Sequence, residues 1–241
     1  MKRCLLLLAA LAAASALSAQ ENNHFTREDV LTVFGQYNPS VLKKAELNQP
    51  YQEVLEKLAS SYSVLKTEEN RQELIALAKN FDNSLLLHAI SQAYEEGFVL
   101  QRLSGLQLDA LAARTREDLS AVFNNILDVT LELKEIRIEE LKEEIKAVKA
   151  DKTLDKLARK EKIKVLKGKI KAVKAEMKTL KKNRAEQVAS TVQLYMTDLT
   201  DRAEGTLSFK RKEAAAREQA QKAQSSSNLQ IKSKNKKPVA K

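Results

Sequence analysis

The chain has 241 residues and a formal net charge of +10, with charged residues at 31% and no tryptophan. Five glycines and three prolines are too few for the many tight corners of a β-sandwich or barrel. Leu, Ala, Lys, Glu and Gln supply most of the chain, and all are strong helix formers, so the predicted class is all-α. One cysteine, Cys4, and two histidines, His24 and His88, give no cluster with zinc-ligand spacing, and no metal or cofactor is expected.

Residues 1–19 read as a secretory signal peptide. Lys2 and Arg3 form a charged start, and Leu5 to Ala14 is unbroken Leu and Ala. That run is short of the ~20 residues a membrane-spanning helix needs. Small residues Ser15, Ala16, Ser18 and Ala19 follow, which places cleavage near Ala19, with Ser18 or Ala16 as alternatives. Cys4 precedes the apolar run, whereas a lipid-attachment cysteine ends it. The expected product is periplasmic or secreted, without cysteine and without a transmembrane segment.

A short helix is predicted to begin at Thr26. Thr26 and Asp29 have the spacing of a capping box, and Val30, Leu31, Val33, Phe34 and Tyr37 give an apolar face. Asn38-Pro39-Ser40 stops this helix, and Ser40 is placed to cap a piece from Val41 to Leu47. Pro50 opens the next, with Val54, Leu55 and Leu58 at helical spacing. Thr67 caps a helix carrying Leu74, Ile75, Leu77 and Ala78, and Asp82-Asn83-Ser84 is read as its break or the cap of its successor. Leu85 to Leu111 is strongly apolar, with Gly97 and Gly105 marking either a break or a close helix contact. Residues 20–114 are therefore expected to form an N-terminal bundle of short helices, with apolar faces wide enough for globular packing.

Thr115-Arg116-Glu117-Asp118 has the form of a second capping signature. Beyond it a broad stripe from Leu119 to Leu133 thins to Ile138, Leu141, Ile145 and Val148. After an interruption the stripe resumes at Ile163, Leu166, Ile170, Val173, Met177 and Leu180, which is the alternating 3–4 spacing of a coiled-coil seam. Between the two stripes lies polar Asp151-Lys152-Thr153-Leu154-Asp155, where Thr153 or Asp155 is placed to cap the second helix. Residues 115–205 thus predict a long antiparallel coiled-coil hairpin turning at about 151–155, the alternative being one continuous helix through residue 153 with partners from other chains. In it Ile145 faces Ile163, Leu141 faces Leu166, Ile138 faces Ile170, and Leu119 faces Val188. A first arm from Glu117 to Ala150 extends about 50 Å, and its narrow tip is either mobile or buried against another copy. Ile-Lys-Ala-Val-Lys-Ala occurs at 145–150 and again at 170–175, which shared heptad composition explains as well as duplication. A helical extension is expected over 206–224, and a disordered Lys-rich tail over 225–241.

The charge is divided by segment: residues 1–133 carry net −5, residues 134–186 net +9, and residues 187–241 net +6. Lys160, Lys164, Lys167, Lys171, Lys174 and Lys178 form the candidate face for an anionic partner. The opposing view is a solvated surface screened by neighbours such as Glu139 and Glu143. Export argues against nucleic acid as the partner, leaving other proteins or an anionic envelope surface.

No phosphate-binding loop, His-Glu-x-x-His sequence or nucleophile elbow is present. His24 reads as part of a frayed terminus and His88 as a packed core or boundary residue. Glu95-Glu96 and Glu143-Glu144 are adjacent helix positions, which point apart. Tyr51, Tyr62, Tyr94 and Tyr195 read as bundle aromatics. The expectation is a non-enzymatic exported coiled-coil protein, a scaffold or interaction module of the cell envelope. In general character residues 117–200 resemble the periplasmic Skp-type holdase chaperones, which are exported, basic and built on helical hairpin arms. The resemblance implies a holdase alternative; that role needs exposed apolar surface on the arm flanks, for which Leu154, Leu157 and Val165 are the candidates. Those chaperones assemble through a β-stranded body, for which this sequence shows no strand pattern. A third reading is an anionic-surface binder acting through the lysine face and tail.

Overall fold

The computed structural model describes residues 23–234; the expected signal peptide with Cys4, and the tail beyond residue 234, lie outside it. Among the described residues there are seven helices and no strand. They are α1 (Arg27–Tyr37), α2 (Pro39–Leu47), α3 (Gln49–Ser61), α4 (Glu68–Ser104), α5 (Asp109–Ala150), α6 (Lys156–Lys182) and α7 (Arg184–Lys234). The helices divide into two compact units, one of residues 23–86 with Asn124–Arg184 and the other of Leu87–Phe123 with residues 185–234. These limits fall inside α4 and α5 and at the α6–α7 joint.

In the first unit the short helices are set by their caps. The Thr26–Asp29 capping box forms in full, and Asn48 accepts from the Tyr51 amide at the head of α3. Asn38, not Ser40, precedes α2, and the Ser40 hydroxyl donates to the Asn38 side chain. Val30, Phe34, Val41, Leu55, Leu74, Ala78 and Phe81 bury together as one core. Phe81 takes edge-on contacts from Phe34 and Tyr51, and Tyr62 packs on Phe25. His24 is not part of a frayed end: it pairs with Leu65 in an antiparallel bridge, flanked by bonds from Phe25 N to Val64 O and from Lys66 N to Asn23 O.

The expected break at Asp82-Asn83-Ser84 does not occur, and α4 runs through it. Each polar side chain there has a partner compatible with helix. Ser84 donates to the Asn80 carbonyl, Asn83 to the Asn80 side chain, and Asp82 accepts from Lys44 and Tyr51. Thr115 likewise caps nothing. It is buried inside α5 and its hydroxyl donates to the Leu111 carbonyl, because α5 already begins at Asp109.

The two glycines in the apolar run do different work. At Gly97 a Cβ would stand 3.1 Å from Leu111, so that glycine permits a close helix contact. Gly105 ends α4 with φ +74°, and the Leu106 amide reaches back to the Gln101 carbonyl. That pattern is a Schellman cap, which requires the left-handed conformation glycine adopts without strain.

The second unit is built on late α4, early α5 and the first half of α7. Its core comprises Tyr94, Phe98, Val99, Leu119, Val122, Val188, Val192, Met196, Leu199, Ala203 and Leu207. Ser91 meets Tyr195, Tyr94 meets Thr200, Glu95 meets Arg202 and Arg102 meets Glu204, so α4 and α7 run parallel here. Phe123 packs edge-on to Tyr195. His88 is exposed, not packed.

The segment expected to lack structure is helical as far as Lys234. No glycine or proline lies between Gly205 and Pro238, and the alanines, glutamines and lysines there sustain a helix through Ser225-Ser226-Ser227.

Candidate functional site

Residues of α5 and α6 within the first unit carry the sites that the sequence singled out. Asp155 caps α6 by accepting from the Leu157 and Ala158 amides at 2.7 and 2.8 Å, while Thr153 bonds to Asp151 instead. Arg159 closes the turn by donating to the carbonyls of Asp151 (2.6 Å) and Leu154 (3.0 Å). Hydrogen bonds from the Thr153 hydroxyl and amide hold the Asp151 carboxyl below its ordinary range.

Of the expected seam, Leu141, Ile145 and Leu166 bury together, and Val148, Ile163 and Ile170 pack against them. Ile138 and Met177 are buried and Val173 is half-buried. Lys134 reaches Glu176 at 2.6 Å, and Arg184 clasps Asp128 at 2.6 Å. Later residues of α5 therefore meet earlier residues of α6, the order of antiparallel neighbours.

Lys160, Lys164, Lys167, Lys171, Lys174 and Lys178 are all exposed. Five of the six follow a seam residue by one position, which sets them about 100° round the helix from the seam. The whole of α6 carries twelve basic and two acidic side chains. None of the six lysines has a carboxylate within ion-pair distance among the described residues. Two of the three residues put forward as client contacts are exposed, Leu157 at 74% and Val165 at 55%, while Leu154 is half-buried.

The glutamates of α5 form a feature the sequence reading missed. Glu132, Glu135, Glu139, Glu140, Glu143 and Glu144 line an open cleft of about 830 Å³, together with Tyr37, Glu68, Arg71 and Arg137. Glu140 is the best-held group in it. It accepts from Gln72 at 2.9 Å, Arg137 at 3.0 Å and Arg71 at 3.3 Å. Burial pushes the Glu140 carboxyl upward, but the bonds from Arg137, Gln72 and Arg71 outweigh it and hold the group below the usual glutamate range. Arg71 also donates to Tyr37 at 3.2 Å. Although adjacent in sequence, Glu143 and Glu144 both line this cleft; Glu143 accepts from Lys146 and Glu144 faces Arg137 at 3.5 Å. The signal for the cleft was present as glutamates at 132, 135, 139 and 143, spaced to fall on one helix face.

No group of three or more His, Cys, Asp or Glu side chains is arranged to hold a metal ion among the described residues. Among those residues, too, no helix is long and apolar enough to cross a membrane. No protein-family model, curated protein or solved structure matches the chain.

Proposed function

We propose that this chain is a non-enzymatic, exported coiled-coil protein of the cell envelope that engages acidic protein partners through the basic face of a helical arm. The arm is α5 and α6 taken as an antiparallel coiled-coil hairpin, a reading supported by the Leu141–Ile145–Leu166 seam and the Lys134–Glu176 pair. Export rests on the charged start, Leu/Ala run and small residues of positions 1–19.

The observation that carries the reading is the row of six exposed lysines left without carboxylate partners among the described residues. Crowding like charge on one helix costs stability, a few tenths of a kcal/mol for each close pair. An external anionic partner offsets that cost and gains affinity from it. The test is binding of fluorescent poly-glutamate, as a stand-in for an acidic protein face, by the full chain at low and physiological ionic strength. Binding should fall steeply with salt and be lost in the combined Lys160→Glu, Lys164→Glu, Lys167→Glu, Lys171→Glu variant. Unchanged binding by that variant would overturn the proposal.

A holdase role is the second reading, favoured by the exposure of Leu157 and Val165 on α6. It expects the chain to keep an unfolded protein soluble, with that protection weakened in Leu157→Ser/Val165→Ser and insensitive to the lysine changes.

A further inference from the structure

Exposed large apolar side chains are normal when scattered singly, as Leu194 is, but four others of the second unit lie at one end. Leu100, Leu103 and Leu106 are 67%, 56% and 64% exposed within seven residues of chain. Leu100 and Leu103 share a face of α4, and Leu106 sits just past the glycine that ends it. In a Schellman cap the residue at the Leu106 position usually packs on an apolar side chain five residues back. Here that residue is Gln101, and Leu106 stays in solvent.

α7 leaves the unit at the same end. The parallel contacts from Ser91–Tyr195 to Arg102–Glu204 place residue 204 level with residue 102. Beyond that level α7 buries Leu207 and then nothing: every residue from Ser208 to Lys222 is exposed. The first large side chain in this stretch is Phe209, 68% exposed, followed at once by Lys210, Arg211 and Lys212. Successive helix positions turn by about 100°, so Lys210 and Lys212 flank Phe209 on its two sides.

We propose that this end of the second unit docks on an anionic lipid bilayer, with Leu100, Leu103, Leu106 and Phe209 entering the headgroup region and Lys210, Arg211 and Lys212 meeting lipid phosphates. Apolar side chains backed by cations at the same level are what an interfacial anchor needs, since binding there sums buried apolar area and attraction to anionic lipid. A second copy of the chain fits the patch poorly. Symmetric contact would set one Lys210-Arg211-Lys212 run against another, and four apolar side chains fall short of the ~800 Å² per partner of a standard interface. The proposal is independent of the α6 lysine face, which belongs to the other unit.

The chain has no tryptophan, so Phe209→Trp introduces a single fluorophore at the proposed contact. Its emission should shift to the blue on vesicles of phosphatidylcholine and phosphatidylglycerol mixed three to one, and not on phosphatidylcholine alone. In that background Lys210→Glu/Arg211→Glu/Lys212→Glu should weaken vesicle binding by roughly a hundredfold or more. Leu103→Ser/Leu106→Ser should weaken it by about tenfold. All these positions are exposed, and circular dichroism checks that each variant keeps its helix content. No shift on the anionic vesicles at low salt overturns the proposal. So does a shift that grows with protein concentration in the absence of lipid, the sign of a second copy. Vesicle binding that is abolished by the α6 lysine changes and indifferent to those at 210–212 also overturns it, and transfers the membrane contact to α6.

Discussion

Over residues 132–147 of α5, cations and carboxylates alternate, and the cations are taken up at short range: Lys142 by Glu139 at 2.5 Å and Lys146 by Glu143 at 2.6 Å. Arg137 meets Glu140 and Glu144 in the same way. Along α6, by contrast, twelve basic residues share two acidic ones, and one of those, Glu176, is taken by Lys134 of α5. Both helices contribute to one apolar cluster. Two helices that share one apolar cluster thus differ in charge organisation: the cations in this stretch of α5 are paired, whereas most of those of α6 face outward. Exposed ion pairs add little stability, so the seam has to hold α6 against its own repulsion.

The sharpest way to break that arrangement is through the seam. Leu141 is 1% exposed, and Leu141→Ala should cost about 3 kcal/mol in a denaturant titration, from lost transfer energy plus the cavity left behind. A loss below about 1 kcal/mol would mean that α6 is not held by this cluster.

A smaller effect is expected from the charge network of α5. Glu140→Gln keeps the shape but removes the charge that Arg71, Gln72 and Arg137 share, for a loss of roughly 1–2 kcal/mol at neutral pH. Because Glu140 titrates below its ordinary value in the folded chain, its contribution is full above the unfolded glutamate pKa and disappears as pH falls through the folded one. Stability measured from neutrality down to about pH 3 should therefore fall more steeply for the wild type than for Glu140→Gln. Parallel curves would remove Glu140 as an acid-sensitive group.

The smallest change sharpens the comparison from the α6 side. Gly168 lies inside α6, and a Cβ there would meet nothing within 4 Å. Gly168→Ala should stabilise the chain by up to about 1 kcal/mol through helix propensity alone. The same exchange at Gly97 meets Leu111 and should gain less or lose.

Features whose physics is local could be read from the sequence: the Thr26–Asp29 box, the start of α3 near Pro50, the Asp155 cap and the alternating stripe of α6. Reading failed where one residue type serves two local states. Thr115 has the sequence context of a cap, yet a threonine hydroxyl is equally satisfied by the carbonyl one turn earlier once the helix starts upstream. Asp82 looks like a breaker until Lys44 and Tyr51, more than thirty positions away in sequence, supply its partners. The exposure of the six lysines was legible, because it follows from being charged and off the apolar stripe. The glutamate cleft was not, since Tyr37 and Arg71 complete it only after α4 has come alongside α5.

Asn183, the single residue between α6 and α7, has a consequence for how this chain tolerates mutation. Continuing the α6 stripe past Leu180 at its own spacing would lead to Arg184, Gln187, Thr191 and Leu194, and Leu194 is 73% exposed. The residues buried in α7 are instead Val188, Val192, Met196 and Leu199, one or two positions later than that series from Gln187 onward. Across the joint at Asn183 the wheel of apolar positions is thus displaced by about 100° or more. Loss of its one codon would leave every remaining side chain intact while aiming the wrong ones at the core. Along this stretch the reading frame of the helix is under tighter constraint than the identity of most residues that compose it.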